Sequence, residues 1–497
     1  MEKSIWQKDN NLNDLESIKE NLKTDILIIG AGITGVSIAY NLINCNYKVV
    51  LIDRGKCFND VTAKSTGKIT YLQDLKYYDI YNVYNYEFAK LYYESQKEAI
   101  KILKKNIRDN NIKCNLEKNE SVTFTTNKKD INKFHVEEML LNSFGVNFSN
   151  NSECIKDDLV KYLISVKDTY VFNPVKYLKG LLKKIKRSSN IDVYENSIAT
   201  EIKKEEDYYV INVNGKEIKS SKIVVACNYP FFIIPGFIPL KTYLEKSYIT
   251  ATKINYTKKI NGITNTYPYQ SFRFYNNKDN KYLIYLSNSS KLSDKINYLE
   301  NYNENVLMSK KITNKPNSYR WTNMDVMTND FLPYIGQVSE EHKNIFIATG
   351  YNTWGMTNAT IASKLLFDLI QNKKSKYQKL FSLNRRFNTK VVKNFLINTF
   401  CSNLKAYALN KIIKNPSWYK NKVYITSINN KRVGIYFDEN GVKHLVSNVC
   451  PHLKCFLTFN EVDKTWDCPC HGSRFDINGN AVKGPSKYNI KIDETKF

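Results

Sequence analysis

Apolar positions follow three different rhythms along this chain. Asp25 to Gly30 (DILIIG) is an unbroken apolar run; Ala31-Gly32-Ile33-Thr34-Gly35 follows at once, VSIAYNLI repeats at helical spacing, and Tyr47 to Asp53 (YKVVLID) closes the unit. That order predicts a strand, a glycine-rich loop, a helix and a second strand. Leu159 to Arg187 reads as a short strand and then a helix opened by Asn173-Pro174, since proline suits the first helical position, where its missing N–H is not needed. Further strands are predicted around IDVYENSIATEI, YYVINVN and KIVVAC. Between Tyr229 and Tyr319 the alternation of Tyr, Thr, Ile and Phe, as in YLEKSYITATKI and KYLIYLS, has the period of two that marks antiparallel sheet. Asn344 to Thr349 (NIFIAT) is another buried strand, ending at Gly350 and leading into a helix from about Thr357 to Asn372. Ser375 to Pro416 is basic and polar or helical. From Lys422 the pattern breaks into short strands with turn signals at Asn429-Asn430, Glu439-Asn440-Gly441 and Asn478-Gly479-Asn480, which places a domain boundary near position 400. No internal repeat is evident.

The chain has 497 residues, enough for about three domains at the usual core size. Hydrophobic residues make up 42% and charged residues 25%, which excludes a disordered protein. The net charge of +26 would suit an acidic partner, but the excess runs along the whole chain with Asn, Ile and Tyr, as compositional bias produces, so no nucleic-acid face is expected. The opening residues alternate charges without an apolar h-region, which points to the cytoplasm. Ile26 to Tyr47 is uncharged over about the length of a membrane span, yet its glycines, Thr34, Ser37, Asn41 and Asn44 fit a buried strand, loop and helix, so no transmembrane segment is expected.

The spacing Gly30-x-Gly32-x-x-Gly35 between a strand and a helix is the context in which this motif signals a dinucleotide. The first glycine permits the turn, the second lets the backbone approach a pyrophosphate, the third lets helix and sheet pack, and the helix start offers N–H donors to phosphate. Asp53, at the end of the second strand and followed by Arg54, is placed to accept from a ribose. FAD and NAD share this fingerprint.

The rest of the chain separates the two, for residues from about Asp25 to Leu369 resemble the FAD-dependent oxidoreductases of the D-amino-acid oxidase and glycine oxidase superfamily. Besides GAGITG, the matching features are Ser65-Thr66-Gly67-Lys68-Ile69-Thr70, the FNPVKYLKGL helix, and the strand ending Ala226-Cys227-Asn228. Asp330-Phe331-Leu332-Pro333-Tyr334-Ile335-Gly336 and Ala348-Thr349-Gly350 before Trp354-Gly355-Met356-Thr357 complete the set. The resemblance implies that Ser65, Thr66, Gly67 and Lys68 lie near the flavin ring, with Gly355, Met356 and Thr357 opening a helix beside it. Gly30, Ala31, Gly32, Ile33, Thr34, Gly35, Asp53, Arg54, Ala226 and Gly350 complete the expected FAD contacts. A second, NAD-type fingerprint is absent from the sequence.

Six of the ten cysteines are scattered singly, as reduced thiols are; the other four lie between positions 450 and 470. Cys450-Pro451-His452-Leu453-Lys454-Cys455 and Cys468-Pro469-Cys470-His471-Gly472-Ser473 each offer one Cys and one His. Two thiolates for one iron and two imidazoles for the other is the ligand division of a Rieske [2Fe–2S] centre, with Cys450, His452, Cys468 and His471 as ligands; Cys2His2 zinc is the alternative donor set, at a spacing unusual for a finger. Rieske proteins with this pattern carry a disulfide where Cys455 and Cys470 fall, and Lys483-Gly484-Pro485-Ser486 resembles their cluster-covering proline loop. A disulfide sits awkwardly with a cytoplasmic location, unless its potential is low enough to resist reduction. Ser473 is expected to donate to a cluster sulfur, and Phe475 stands where many respiratory relatives have Tyr, so one donor fewer implies a lower potential.

The expected architecture is therefore α/β: a Rossmann-like FAD-binding domain with an inserted β-rich substrate lobe, of D-amino-acid oxidase type, plus a C-terminal all-β Rieske domain. Residues 1–400 form the oxidoreductase, with FAD-binding parts at about 22–90, 150–228 and 320–372 and the lobe at about 229–319; residues 401–497 form the Rieske domain. Five histidines are too few and too far apart to supply both the cluster and a mononuclear-iron oxygenase site. Together the two modules look like bacterial fusions of this flavoprotein type with a Rieske domain. In the expected function, FAD oxidises a small amine or amino acid and electrons leave singly through the cluster to an external acceptor, whether protein, quinone or oxygen. The alternatives are a reductase with electrons entering at the cluster, and a redox-sensing or interaction protein whose cluster is structural. No catalytic acid or base stands out. Arg273, in SFRF, is a candidate carboxylate clamp, and Tyr248 and Tyr269 are candidate pocket linings.

Overall fold

The computed structural model describes residues 3–8, 14–152, 155, 158–231, 238–277, 280–294, 297–385, 388–400 and 423–492. The expected domain boundary near position 400 borders residues 401–422, outside the described residues, as do Cys154 and Cys401. The first sheet has the order Tyr334–Gln337, Ile345–Thr349, Lys216–Val225, Leu22–Ile29, Val49–Ile52, Ile191–Tyr194, with Ala199–Lys204 and Tyr209–Val213 continuing from Lys216–Val225. Its central pairs are parallel, and Leu27, Ile28, Val50, Leu51, Val224 and Val225 are buried, as strands covered on both faces must be. Helices Ile33–Asn41, Pro174–Ile185 and Gly355–Ile370 pack together on this sheet. Asn173 caps the second of them, its side chain accepting from Lys176 N, with Pro174 at the helix start as expected.

The second sheet runs Tyr319–Thr328, Thr242–Ile254, Asn280–Lys291, Gln270–Asn277, Ile260–Thr264, Glu117–Thr125, Tyr162–Val171, Lys68–Ile69. It therefore draws on strands beyond 229–319: Tyr162–Val171 and, from its second residue on, Tyr319–Thr328 were expected among the FAD-binding parts and pair here instead. The strand Glu117–Thr125 and the helices Tyr86–Asp109, Ile131–Ser143 and Tyr298–Thr313 are further elements that the sequence pattern had not delineated.

The C-terminal module consists of two small antiparallel sheets, Val423–Ile428 with Lys431–Phe437 and Lys443–Ser447, and Thr458–Asn460 through Thr465–Asp467 and Arg474–Asp476 to Ala481–Lys483. Trp466, Phe475, Leu457 and Val446 form its core. No helix among the described residues is long and apolar enough to cross a membrane.

Candidate active site

A cavity of about 1020 Å³ lies between the two sheets. It is at the upper end for a small-molecule pocket, as a dinucleotide with a substrate would need. Gly30 forms one wall, with φ +106° and room so restricted that a Cβ would meet Ala226 O at 2.7 Å. Only glycine adopts that turn without strain. A Cβ on Gly35 would lie 1.9 Å from Gly30 O, so the helix sits directly on the loop. Helix Ile33–Asn41 starts at Gly32, which has no side chain to cap it, and Gly32, Ile33 and Thr34 open on the cavity, where a helix start favours phosphate. Thr62 Oγ1 accepts from Ile33 N at 3.1 Å, and Thr34 Oγ1 meets Tyr351 Oη at 2.8 Å. Asp53 accepts from Ala31 N and Gly55 N, both at 2.8 Å; burial pushes its carboxyl up to about 6 against those N–H groups.

Arg54, Ser65, Thr66, Gly67, Lys68, Ala226, Gly355 and Met356 also line the cavity. The other expected contacts stand one layer behind it. Ala31 braces Asp53, Gly35 packs on Gly30, Gly350 at φ +74° abuts Thr328, and Thr357 Oγ1 accepts from Gln73 Nε2 at 3.0 Å. A glycine cradle, a helix start opening on the cavity and an acid at the strand end fit FAD.

Arg273 is not a substrate clamp. It is 1% exposed; its Nη1 donates to Thr66 O, Gly67 O and Phe172 O at 2.7, 2.9 and 2.9 Å, and its Nε to Phe274 O at 3.2 Å. The strand turns this guanidinium behind the Ser65 to Lys68 segment, which it holds in place, and against the rings of Trp6 and Tyr275. Lys68 is fixed similarly, Nζ donating to Gly262 O at 2.7 Å and Ser271 Oγ at 2.6 Å; burial and the neighbouring Arg273 bring it down to about 7. Tyr269 does line the cavity, whereas Tyr248 packs with Tyr298, Tyr302 and Val462 away from it.

In the C-terminal module the four expected ligands converge. Cys450 and Cys468 come within hydrogen-bonding reach of one another, and the His452 and His471 rings lie 5.1 Å apart. Both Nδ1 atoms are buried without a hydrogen-bond partner, an arrangement costly unless those nitrogens bind something. Burial lowers His452 to about 4 and His471 to about 3, keeping both imidazoles in the neutral, metal-binding form. Cys455 and Cys470 form the expected disulfide, Cα atoms 6.6 Å apart. The Cys468 sulfur lies within 4.8 Å of both, but a disulfide sulfur offers no thiolate, whereas Cys450 and Cys468 are free, buried thiols. Ser473 Oγ reaches Cys450 and accepts from Ser486 N at 3.0 Å, fastening the proline loop over the ligands. Two thiols and two orphaned imidazole nitrogens fit a [2Fe–2S] centre of Rieske type.

The two sites meet, which the sequence did not foretell. His471 lines the flavoprotein cavity, its ring 5.8 Å from that of Tyr229, while His452 lies on the less buried side. Gly472, at φ +70°, lets the ligand loop approach so closely that a Cβ would meet Leu244 Cδ1 at 2.5 Å and Met324 Sδ at 2.6 Å. Lys246 Nζ, 1% exposed, lies 3.4 Å from Asp463 and 3.6 Å from Asp467, and Arg474 pairs with both acids. Thr322 Oγ1 donates to Asp463 at 3.1 Å; Arg54 Nη2 donates to Ser486 O at 3.1 Å, and Lys483 pairs with Asp60 at 3.2 Å.

Comparison with known proteins agrees with this geometry. Residues 25–369 match the FAD dependent oxidoreductase family and residues 411–493 the Rieske [2Fe-2S] domain. A Bacillus subtilis (strain 168) protein, YhfW, named for its Rieske 2Fe-2S centre, is 30% identical over 98% of this chain and 97% of its own. Cytochrome b6-f complex iron-sulfur subunit 2 of Trichormus variabilis is 43% identical over 47 residues, 10% of this chain and 26% of that one. Among solved structures, glycine oxidase from Geobacillus kaustophilus aligns at TM-score 0.60 and 14% identity, covering 74% of this chain and all of that one. L-Proline dehydrogenase from P. horikoshii aligns at TM-score 0.60 and 15% identity over 73% of this chain and 98% of its own. The flavoprotein fold, the cavity with its glycine cradle, and the paired Cys–His loops closing on it lead to one assignment: the chain belongs to the FAD dependent oxidoreductase family and carries a C-terminal Rieske [2Fe-2S] domain.

Proposed function

We propose that the protein oxidises a small amine or amino acid in the cavity beneath the second sheet and passes the electrons singly to an external acceptor. What carries this reading is the position of His471, which belongs at once to the cluster-ligand loop and to the wall of the flavoprotein cavity. When bound, FAD accepts a hydride, two electrons at once, and a [2Fe–2S] cluster relays electrons one at a time. The chain's own residues then have separate tasks. Gly30, Gly32 and the start of helix Ile33–Asn41 receive the pyrophosphate, Asp53 the ribose, and Ser65 to Lys68, braced by Arg273, the ring. The Lys246–Asp463–Asp467–Arg474 network holds the cluster loop against the cavity. Half-buried His452, which is not among the residues lining the cavity, is the natural exit toward a protein or quinone acceptor.

Anaerobic mixing of the holoprotein with amines and amino acids, with NADH and NADPH as controls, tests the reading. Bleaching of flavin absorbance followed by the reduced-cluster EPR signal is the expected result. Reduction by nicotinamides or dithionite alone would overturn it and favour electron entry from the opposite end.

A further inference from the structure

Strands Thr242–Ile254 and Tyr319–Thr328 are antiparallel neighbours, and their register sets Glu245 directly opposite Asp325. Both carboxylates line the cavity, and among the described residues neither has an ion pair. Glu245 accepts no hydrogen bond there, and Asp325 receives only a long one, 3.5 Å, from Asn323 Nδ2. Like charges facing each other across a sheet oppose its pairing, so a fold gains nothing from this pair as it stands.

Lys76, on the helix Lys76–Val83, is an independent second sign. It lines the same cavity and is only 6% exposed, yet its Nζ donates to no acceptor among the described residues and rests 5.3 Å from the centre of the Phe331 ring. Asn323, two positions before Asp325 and also on the cavity wall, keeps a buried Oδ1 without a partner. The charges around these groups do not cancel them. Glu245 feels Asp325 and Asp294 against Lys291 and Lys76, Asp325 feels Lys483, and Lys76 feels Asp79, Asp74, Glu245 and Glu137. Burial raises Glu245 to about 7 and Asp325 to about 6, as expected of carboxylates still lacking a cation.

We infer that Glu245 and Asp325 together bind an ammonium group and Lys76 binds an anionic group of the same ligand. The ligand is accordingly a zwitterion of amino-acid type, held by a carboxylate pair and a lysine, with Arg273 taking no part. The inference rests on the function proposed above and assigns the substrate-recognising residues within it. A carboxylate pair offers acceptors for the N–H groups of a primary ammonium, and Lys76 lines the same cavity near enough to feel the charge of Glu245, which places both halves of the site in one pocket. A simple monoamine would leave Lys76 unmatched; a simple carboxylate would leave the acid pair unmatched.

Binding, read as perturbation of flavin absorbance in the oxidised holoprotein, separates these cases with three matched probes: alanine, ethylamine and propionate. Alanine is expected to bind more tightly than either half-molecule. Glu245→Gln and Asp325→Asn should each weaken alanine and ethylamine about tenfold or more while leaving propionate unchanged, and Lys76→Met should weaken alanine and propionate but not ethylamine. Flavin and cluster spectra of each variant report whether the fold is intact. Wild-type affinity for alanine and ethylamine in a folded Glu245→Gln variant, or no perturbation by any of the three probes, would overturn the site. If the probes follow this charge pattern but no amino compound reduces the flavin, the site stands and the proposed oxidation falls.

Discussion

Glu245 and Lys246 are consecutive on the strand Thr242–Ile254, and the alternation of a strand sends them to opposite faces. Lys246 turns to the Rieske domain, where Asp463, Asp467 and Arg474 meet it. Glu245 turns to the cavity, where Asp325 faces it with the same charge. Burial costs both side chains their hydration, but only one is compensated by the chain itself. A matched buried network specifies how two domains dock; an unmatched buried pair is a place the fold leaves for something else.

Removing the matched charge is the most damaging way to test the contrast. Lys246→Met should destabilise the docked holoprotein by about 3 kcal/mol, because two buried acids then share Arg474 alone. Chemical denaturation measures that loss, and stopped-flow should show the cluster reduced more slowly than the flavin. Burial raises Asp463 and Asp467, but Arg474 and Lys246 outweigh it and hold both below the usual carboxylate range. Their contribution is therefore present above about pH 4 and lost as the pH falls below it. Gly472→Ala should have an intermediate effect, about 2 kcal/mol, since the new methyl meets Leu244 and Met324 and the positive φ is strained as well; a lower midpoint for cluster loss on heating would show it.

Glu245→Gln should have the smallest effect on folding, and in the opposite direction. With its carboxyl raised from 4.5 to about 7 in the folded protein, Glu245 favours folding below pH 4.5, and that advantage disappears as the pH rises through 7. The glutamine variant should match the wild type at pH 5 and exceed it by about 1 kcal/mol at pH 8, measured as Tm at the two pH values. A loss of stability at pH 8 would show that Glu245 has a structural partner, and would dissolve the contrast.

What the linear chain determined by itself was whatever depends on residues close in sequence. GAGITG makes its turn through positions 30 to 35, Asn173 caps a helix beginning at the next residue, and CPHLKC and CPCHGS each present one thiol and one imidazole. Helix Tyr86–Asp109 was equally open to such a reading, for Ala89, Tyr92, Gln96, Ala99 and Leu103 recur at helical spacing on its buried face. The folded chain alone decided the rest, because strand pairing joins residues far apart and nothing local encodes the partner. Arg273 lies in a strand whose sequence is compatible with a substrate wall, and only packing turned its guanidinium to the carbonyls of Thr66, Gly67 and Phe172. Glu245 and Asp325 are 80 positions apart and unremarked in the sequence, but register makes them a pair. His471 was legible as a ligand; that its ring also closes the flavoprotein cavity depended on Leu244, Met324 and Gly472 meeting across a domain boundary.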